Sequence, residues 1–303
     1  MSQAVIFLAR GIDAGLPAAK AFFDSYRAHP AGRPHALIVI AKGWEAVPGR
    51  DQLQALAESA GARVVNLPDD GFDWGAYMRI APQLSHDWVC FLNSHSQIMA
   101  GGWLDKLRSA AEQPGVGAAG ATGSWGTLAP VASFIVPNVA DISHERGWAA
   151  AALRAGYIGS VGYVWGMLKD APDFPAFPNP HLRSNAFILR RSLFQDFTGD
   201  RTPPYTKREA FQLECGRQGM TRWLKARGLA ALVVAAGGEW YATGQWMASG
   251  TFRTPGHAPQ NGRLLISDNQ TRGYDAAAPF SRRIMERSAW GRAFTPRGRK
   301  KTP

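Results

Sequence analysis

The sequence predicts an α/β protein built on a mixed, mostly parallel sheet flanked by helices. Two short apolar runs rich in branched residues, Val5–Leu8 and Leu37–Ile40, are each followed by a turn and a helix-like stretch. A later run, Trp88–Leu92, is continuously apolar, which suits a strand buried on both faces. Strands alternating with helices imply parallel pairing through crossover connections. A chain of 303 residues, 46% of them hydrophobic, is large enough to bury such a core.

In chain order, Val5–Leu8 is the first strand and Ala18–Ala28 the first helix. Leu37–Ile40 and Arg50–Ala60 repeat the pair, Arg63–Leu67 adds a third strand, and Ala76–Leu84 reads as a short helix. Trp88–Leu92 is the fourth strand and Trp103–Gln113 the next helix. The glycine-rich run Val116–Trp125 reads as a tightly packed strand entering a turn. From about Trp148 the texture changes to a short helix and then to Pro172–Pro180, an ordered loop whose aromatic residues need cover. His181–Leu189 resumes strand character, Leu213–Arg227 reads as one helix ending at Gly228, and Ala231–Ala235 is a further strand. The rest is expected to form an irregular layer over the core.

Cys90 and Cys215 are the only cysteines, with neither metal-binding nor disulfide-framework spacing, so a reducing, cytoplasmic setting is expected. The opening residues are too briefly apolar for a signal peptide, and no apolar run approaches the roughly 20 residues of a membrane span. The net charge is +11, and +7 of it lies from Arg282 onward, in eight Lys or Arg against Glu286. A basic end of this kind suits anionic lipid head groups, a polyanionic glycan or nucleic acid, or is a solvated end with no partner. Because the charge does not interleave with aromatic residues on a core face, a nucleic-acid partner is not expected.

In parallel sheets ligands gather beyond the carboxyl ends of strands, which directs attention to Ala41–Val47, Pro68–Trp74 and Asn93–Gln97. Asp69, Asp70 and Asp73 sit at a strand-to-helix junction, where they serve either as turn and N-cap residues or in a loop that a nucleotide approaches closely past Gly71 and Gly75. Asn93, Ser94, His95 and Ser96 end a buried strand, either to hold a ligand or to satisfy backbone groups. Asn93 and His95 are neutral metal donors, whereas Mg²⁺ prefers carboxylate oxygens. Alternation sends His181, Arg183 and Asn185 to one face, suited to sugar hydroxyls or phosphate, or simply to water. Glu209 and Glu214 follow, either as a general base or as a charged helix surface. Asp268, Asn269 and Gln270 lie where they either close over a ligand or form a polar turn.

Four stretches in register, Phe72-Asp-Trp-Gly-Ala-Tyr77, Phe91-Leu-Asn-Ser-His-Ser96, Gly120-Ala-Thr-Gly-Ser124 and His181-Leu-Arg-Ser-Asn-Ala-Phe187, resemble the GT-A class of glycosyltransferases. More closely, they resemble the bacterial polysaccharide enzymes related to rhamnan-synthesis protein F. The likeness spans roughly residues 1 to 235. It implies a GT-A (Rossmann-like) fold and a nucleotide-diphosphate sugar donor, with Asp70 and Asp73 toward the nucleotide. Asn93, Ser94, His95 and Ser96 fall at the family's Asp-X-Asp metal motif, but both carboxylates are missing. Mg²⁺ or Mn²⁺ would then be held through Asn93 and His95, or the diphosphate bound without metal by Arg or Lys. The Glu-Asp pair of related inverting enzymes falls on Glu214, followed here by Cys215, which makes Glu214 the expected base.

The chain is expected to divide into a donor- and acceptor-binding region of GT-A-like character (1–240), a C-terminal layer packed on it (241–281) and a basic, disordered tail (282–303). The implied activity is transfer of a sugar, by inverting single displacement, to a glycan or lipid-linked glycan acceptor in cell-surface polysaccharide biosynthesis. His181, Arg183 and Asn185 would orient the acceptor or leaving group. The tail would touch the anionic inner face of the membrane. A non-catalytic sugar-binding or scaffold relative is the alternative.

Overall fold

The structure, a computed structural model, describes residues 2–128, 172–255 and 262–291. The short helix expected after Trp148 and the basic residues beyond 291 lie outside them. Eight strands form one sheet: β1 (Gln3–Arg10), β2 (Ala36–Lys42), β3 (Arg63–Asn66), β4 (Trp88–Leu92), β6 (Val116–Gly120), β9 (Ala186–Arg190), β10 (Ala230–Val234) and β11 (Trp240–Tyr241). Their order is β11-β10-β6-β9-β4-β1-β2-β3, with β9 antiparallel to β4 and β6, and β11 antiparallel to β10. The other pairs run parallel. This is the mixed, mostly parallel, Rossmann-like sheet flanked by helices that the sequence predicts.

The helices are α1 (Gly15–Ala28), α2 (Arg50–Ser59), α3 (Phe72–Ile80), α4 (Trp103–Ala111), α5 (Arg191–Thr198), α6 (Lys207–Cys215), α7 (Met220–Ala226), α8 (Asn269–Ala276) and α9 (Pro279–Trp290). Strand alternation sorts the core into two layers. Ile6, Leu8, Ile40 and Phe91 pack with Trp74, Tyr77, Phe194 and Leu224 on one side. Val5, Phe7, Val39 and Leu92 pack with Phe22, Leu53, Trp103 and Leu107 on the other. Each fully buried side chain of this size contributes about 1.5–3 kcal/mol, so the sheet is a rigid platform. Both cysteines are buried and free, and burial pushes both thiols well up. Among the described residues no helix is long and apolar enough to cross a membrane.

Several expected elements differ. The helix expected over Ala76–Leu84 begins at Phe72, after Gly71 in the left-handed region (φ 71°), and a 3₁₀ turn at Ala81–Gln83 ends it. The strand expected over His181–Leu189 is two, β8 (His181–Leu182) and β9, broken at Arg183–Asn185. β8 leaves the main sheet to pair with β7 (Gly123–Ser124). The single helix expected over Leu213–Arg227 is α6 and α7, because a Cβ at Gly216 would stand 2.5 Å from the Gln212 carbonyl oxygen and the chain turns there. The last layer is more regular than expected. β5 (Gln97–Ile98) pairs with β12 (Ile266–Ser267), and the basic stretch from Arg282 begins as the body of α9, with Glu286, Ala289 and Trp290 buried.

Candidate active site

Strand order reverses between β1 and β4, where a crevice opens beyond the carboxyl ends and ligands bind in folds of this kind. A cleft of about 360 Å³ lies there. It is lined by Leu8 and Arg10 at the end of β1, by Asp13 beyond it, and by Asn93, Ser94 and His95 after β4. One wall is Arg183, Ser184 and Asn185 from the break between β8 and β9, with Asp268, Asn269 and Gln270. Phe72, Asp73, Lys207, Phe211 and Glu214 complete the lining. Spacing of four and three residues puts Lys207, Phe211 and Glu214 on one face of α6.

The strand-end turn is stitched by its own side chains. Asn93 Oδ1 accepts from the His95 N–H and from Ser96 Oγ, both at 3.1 Å. Ser96 is fully buried and also donates to the Asn185 carbonyl at 3.0 Å, so it braces the turn from behind and does not line the cleft. Asn185 Oδ1 accepts from Thr122 Oγ1 at 2.6 Å, while its buried Nδ2, at the cleft wall, has no partner among the described residues. Burial, and then the Arg272 charge, hold His95 below its usual range, which keeps its ring neutral.

Asp73 lies in the first turn of α3 and accepts from Ser184 Oγ at 3.1 Å. Glu214 also takes hydrogen bonds from the Ser184 side chain and backbone. Burial raises the Glu214 carboxyl above its ordinary range, against Arg183 and Ser184, which favour the charged form, and with Asp73, which disfavours it. Arg183 donates to Asp268 Oδ2 at 2.7 Å and to Thr122 Oγ1 at 3.3 Å. Asp268 is wholly buried; burial opposes its charge, but Arg183 and the Thr271 N–H of its capping box hold its carboxyl below the usual range.

The pairing of β5 with β12 returns the last segment to the end of β4, which is how Asp268, Asn269 and Gln270 reach the cleft. A second cavity of about 240 Å³ adjoins it, lined by His181, Ser124, Phe252, Arg253 and Ser288. Arg183, Phe211, Glu214 and Gln270 line both cavities, so Glu214 stands at the boundary.

The break at 183–185 corrects the alternation expected there. Arg183, Ser184 and Asn185 all line the cleft, whereas His181 lies in the second cavity with Nδ1 on the Asn179 carbonyl at 2.8 Å. Burial lowers His181 to about 4, so its ring is neutral. Asp70 does not line the cleft: both its oxygens face Arg79, which holds its carboxyl below the usual range. Glu209 caps α6 by accepting from the Tyr205 and Thr206 N–H groups, which leaves Glu214 as the carboxylate of α6 in the cleft. The segment 41–47 also stays out of the cleft, with Trp44 bonded to the Ala9 carbonyl. Gly71 and Gly75 serve packing, not ligand approach: a Cβ on Gly71 would meet the Gly75 Cα at 2.9 Å, and one on Gly75 faces Pro203 and Pro204.

Phe72, which opens one of the motifs, is joined in the cleft by Arg10, Asp13, Lys207 and Phe211, which the motifs did not pick out. The strand-end rule applied to β1 finds the first two, and the helical spacing before Glu214 finds the last two. Lys42 acts from behind. It is 1% exposed and donates to the Asp70 and Phe72 carbonyls at 2.8 and 2.9 Å. That grip holds Phe72 at φ 54°, an unusual backbone for a bulky residue. Arg10 makes a two-pronged pair with Asp69 and a further one with Asp13.

The donors do not fit a metal held by the protein alone. Asn93 Oδ1 is already occupied, the strand end carries no carboxylate, and among the described residues no three His, Cys, Asp or Glu gather as a metal site.

Fold and cleft together define an α/β protein with a mostly parallel, Rossmann-like sheet and a polar cleft at its switch point. No family model matches the chain, and no curated protein matches its sequence. Among solved structures it is similar to glucosyl-3-phosphoglycerate synthase from Mycobacterium tuberculosis in complex with Mn²⁺, UDP and phosphoglyceric acid, at 17% identity and TM-score 0.34 over 63% of this chain and 56% of that one. It is also similar to the mannosyltransferase PcManGT from Pyrobaculum calidifontis in complex with GDP-Man and Mn²⁺, at 11% identity and TM-score 0.43 over 76% and 54%. S. aureus TarS gives 13% identity and TM-score 0.32 over 39% and 21%. The chain spans a little over half of the first two of these proteins and about a fifth of the third.

Proposed function

We propose that the chain is a hexosyltransferase-like glycosyltransferase that moves a sugar from a nucleotide-diphosphate sugar to a glycan acceptor. The observation that carries this is Glu214, a half-buried carboxylate of raised proton affinity at the boundary between the switch-point cleft and a second cavity. The donor occupies the cleft at the ends of β1 and β4, and the acceptor enters from the second cavity. The acceptor oxygen bonds to the anomeric carbon as the bond from that carbon to the diphosphate oxygen breaks. Glu214 takes the acceptor's hydroxyl proton, and the anomeric configuration inverts. Arg183, fixed by Asp268 and Thr122, faces both cavities, where it orients the donor sugar and the departing group.

The motif resemblance supports a glycan or lipid-linked acceptor of cell-surface polysaccharide synthesis. Mg²⁺ or Mn²⁺ belongs to this proposal only as a cation carried in by the diphosphate. Glu214→Gln tests the base: sugar transfer should fall by about 10²–10⁴-fold, the range for loss of a general base, with nucleotide binding kept. Unchanged transfer would remove Glu214 from the mechanism.

A further inference from the structure

Breaking the donor's anomeric bond leaves negative charge on the diphosphate, and a preorganised positive group lowers that cost. Three cations line the cleft: Arg10, Arg183 and Lys207. Arg10 is committed to Asp69 and Asp13, and Arg183 to the buried Asp268. Lys207 differs. Among the described residues it has no carboxylate partner, and its contacts are two aromatic faces, with Nζ 5.4 Å from the Phe72 ring centre and 5.1 Å from that of Phe211. In the first turn of α6 the Glu209 N–H is already taken by the Thr206 side chain of the capping box.

The clamp joins two elements. Phe211 lies one turn beyond Lys207 on α6, and Phe72 opens α3 with its carbonyl held by Lys42. The rings aim the long side chain without neutralising it. Lys207 is exposed, so a ligand can reach its ammonium.

We propose that Lys207, held between Phe72 and Phe211, is the cation that binds the donor's diphosphate and meets the charge that develops on it. The inference rests on the donor assignment of the cleft made above. It is tested by calorimetric titration of the whole chain with UDP, GDP and dTDP and with the matching nucleosides, with and without Mn²⁺. For the nucleotide that binds, Lys207→Gln should weaken the diphosphate by about ten- to hundredfold, as expected for a charge-assisted bond, and leave the nucleoside within about twofold. Lys207→Arg should restore most of the loss, a rescue that a packing role would not give. Equal diphosphate affinity in wild type and Lys207→Gln overturns the role of Lys207 and leaves the donor cleft standing. Wild type that binds no nucleoside diphosphate under either condition overturns both.

Discussion

Ser184 has one hydroxyl proton and two carboxylates to serve, Asp73 and Glu214. A base must be ionised to act, so sugar transfer should be lost as pH falls through the raised Glu214 value. The two neighbours move that limb in opposite directions. Asp73→Asn removes a negative charge that disfavours ionised Glu214 and should shift the acid limb of kcat/KM to lower pH. Ser184→Ala removes a hydrogen bond to the ionised form and should shift it to higher pH. A pH–rate profile of the two variants that moves together, or not at all, contradicts the arrangement. Stability runs the opposite way: a carboxyl raised in the folded state contributes stability that is present at low pH and lost as pH rises through its folded value. Sequence made Asp73, Asn93, Arg183 and Glu214 legible as cleft residues because each sits in a polar motif after an apolar run. It misplaced Asp70 and Ser96, since polar side chains that brace a turn and those that face a ligand have the same composition.

At the scale of elements, the site depends on interruptions. α6 ends at Cys215 because Gly216 turns the chain, and a Cβ at Gly219 would stand 2.8 Å from the Glu214 carbonyl oxygen. β8 and β9 part at Arg183–Asn185, which delivers three consecutive residues to the cleft where an unbroken strand would deliver alternate ones. Helix and strand interiors were legible from periodicity. The interruptions were not, because they are imposed by tertiary contacts: the β7–β8 pairing and the close approach at Gly216. Asp268 links the elements, capping α8 and neutralising Arg183. Asp268→Ala removes both roles and strands a buried guanidinium, at a cost of about 3–5 kcal/mol. Urea unfolding measures it, and a loss below about 1 kcal/mol would show that Arg183 finds another partner.

Across the whole molecule, the sheet was legible in the sequence and the C-terminal layer was not. Alternating apolar runs and helices define the first half, and the reversal between β1 and β4 places the cleft. The last layer returns through the β5–β12 pair, two strands of two residues each, too short to leave a sequence period. Charge also misled: Arg282, Arg283 and Arg287 belong to α9, whose Trp290 is buried with Nε1 on the Phe252 carbonyl at 2.9 Å. That contact ties the end of α9 to the wall of the second cavity, so the C-terminal layer is part of the site. The central claim is that this cleft takes a nucleotide-sugar donor. Calorimetric titration of the chain with a panel of nucleotide sugars tests it most directly. The account predicts one donor binding at one site per chain, with a Kd in the range of about 1 μM to 1 mM typical of enzyme substrates; no heat from any nucleotide sugar, with or without Mn²⁺, would contradict it and leave a scaffold of the same fold.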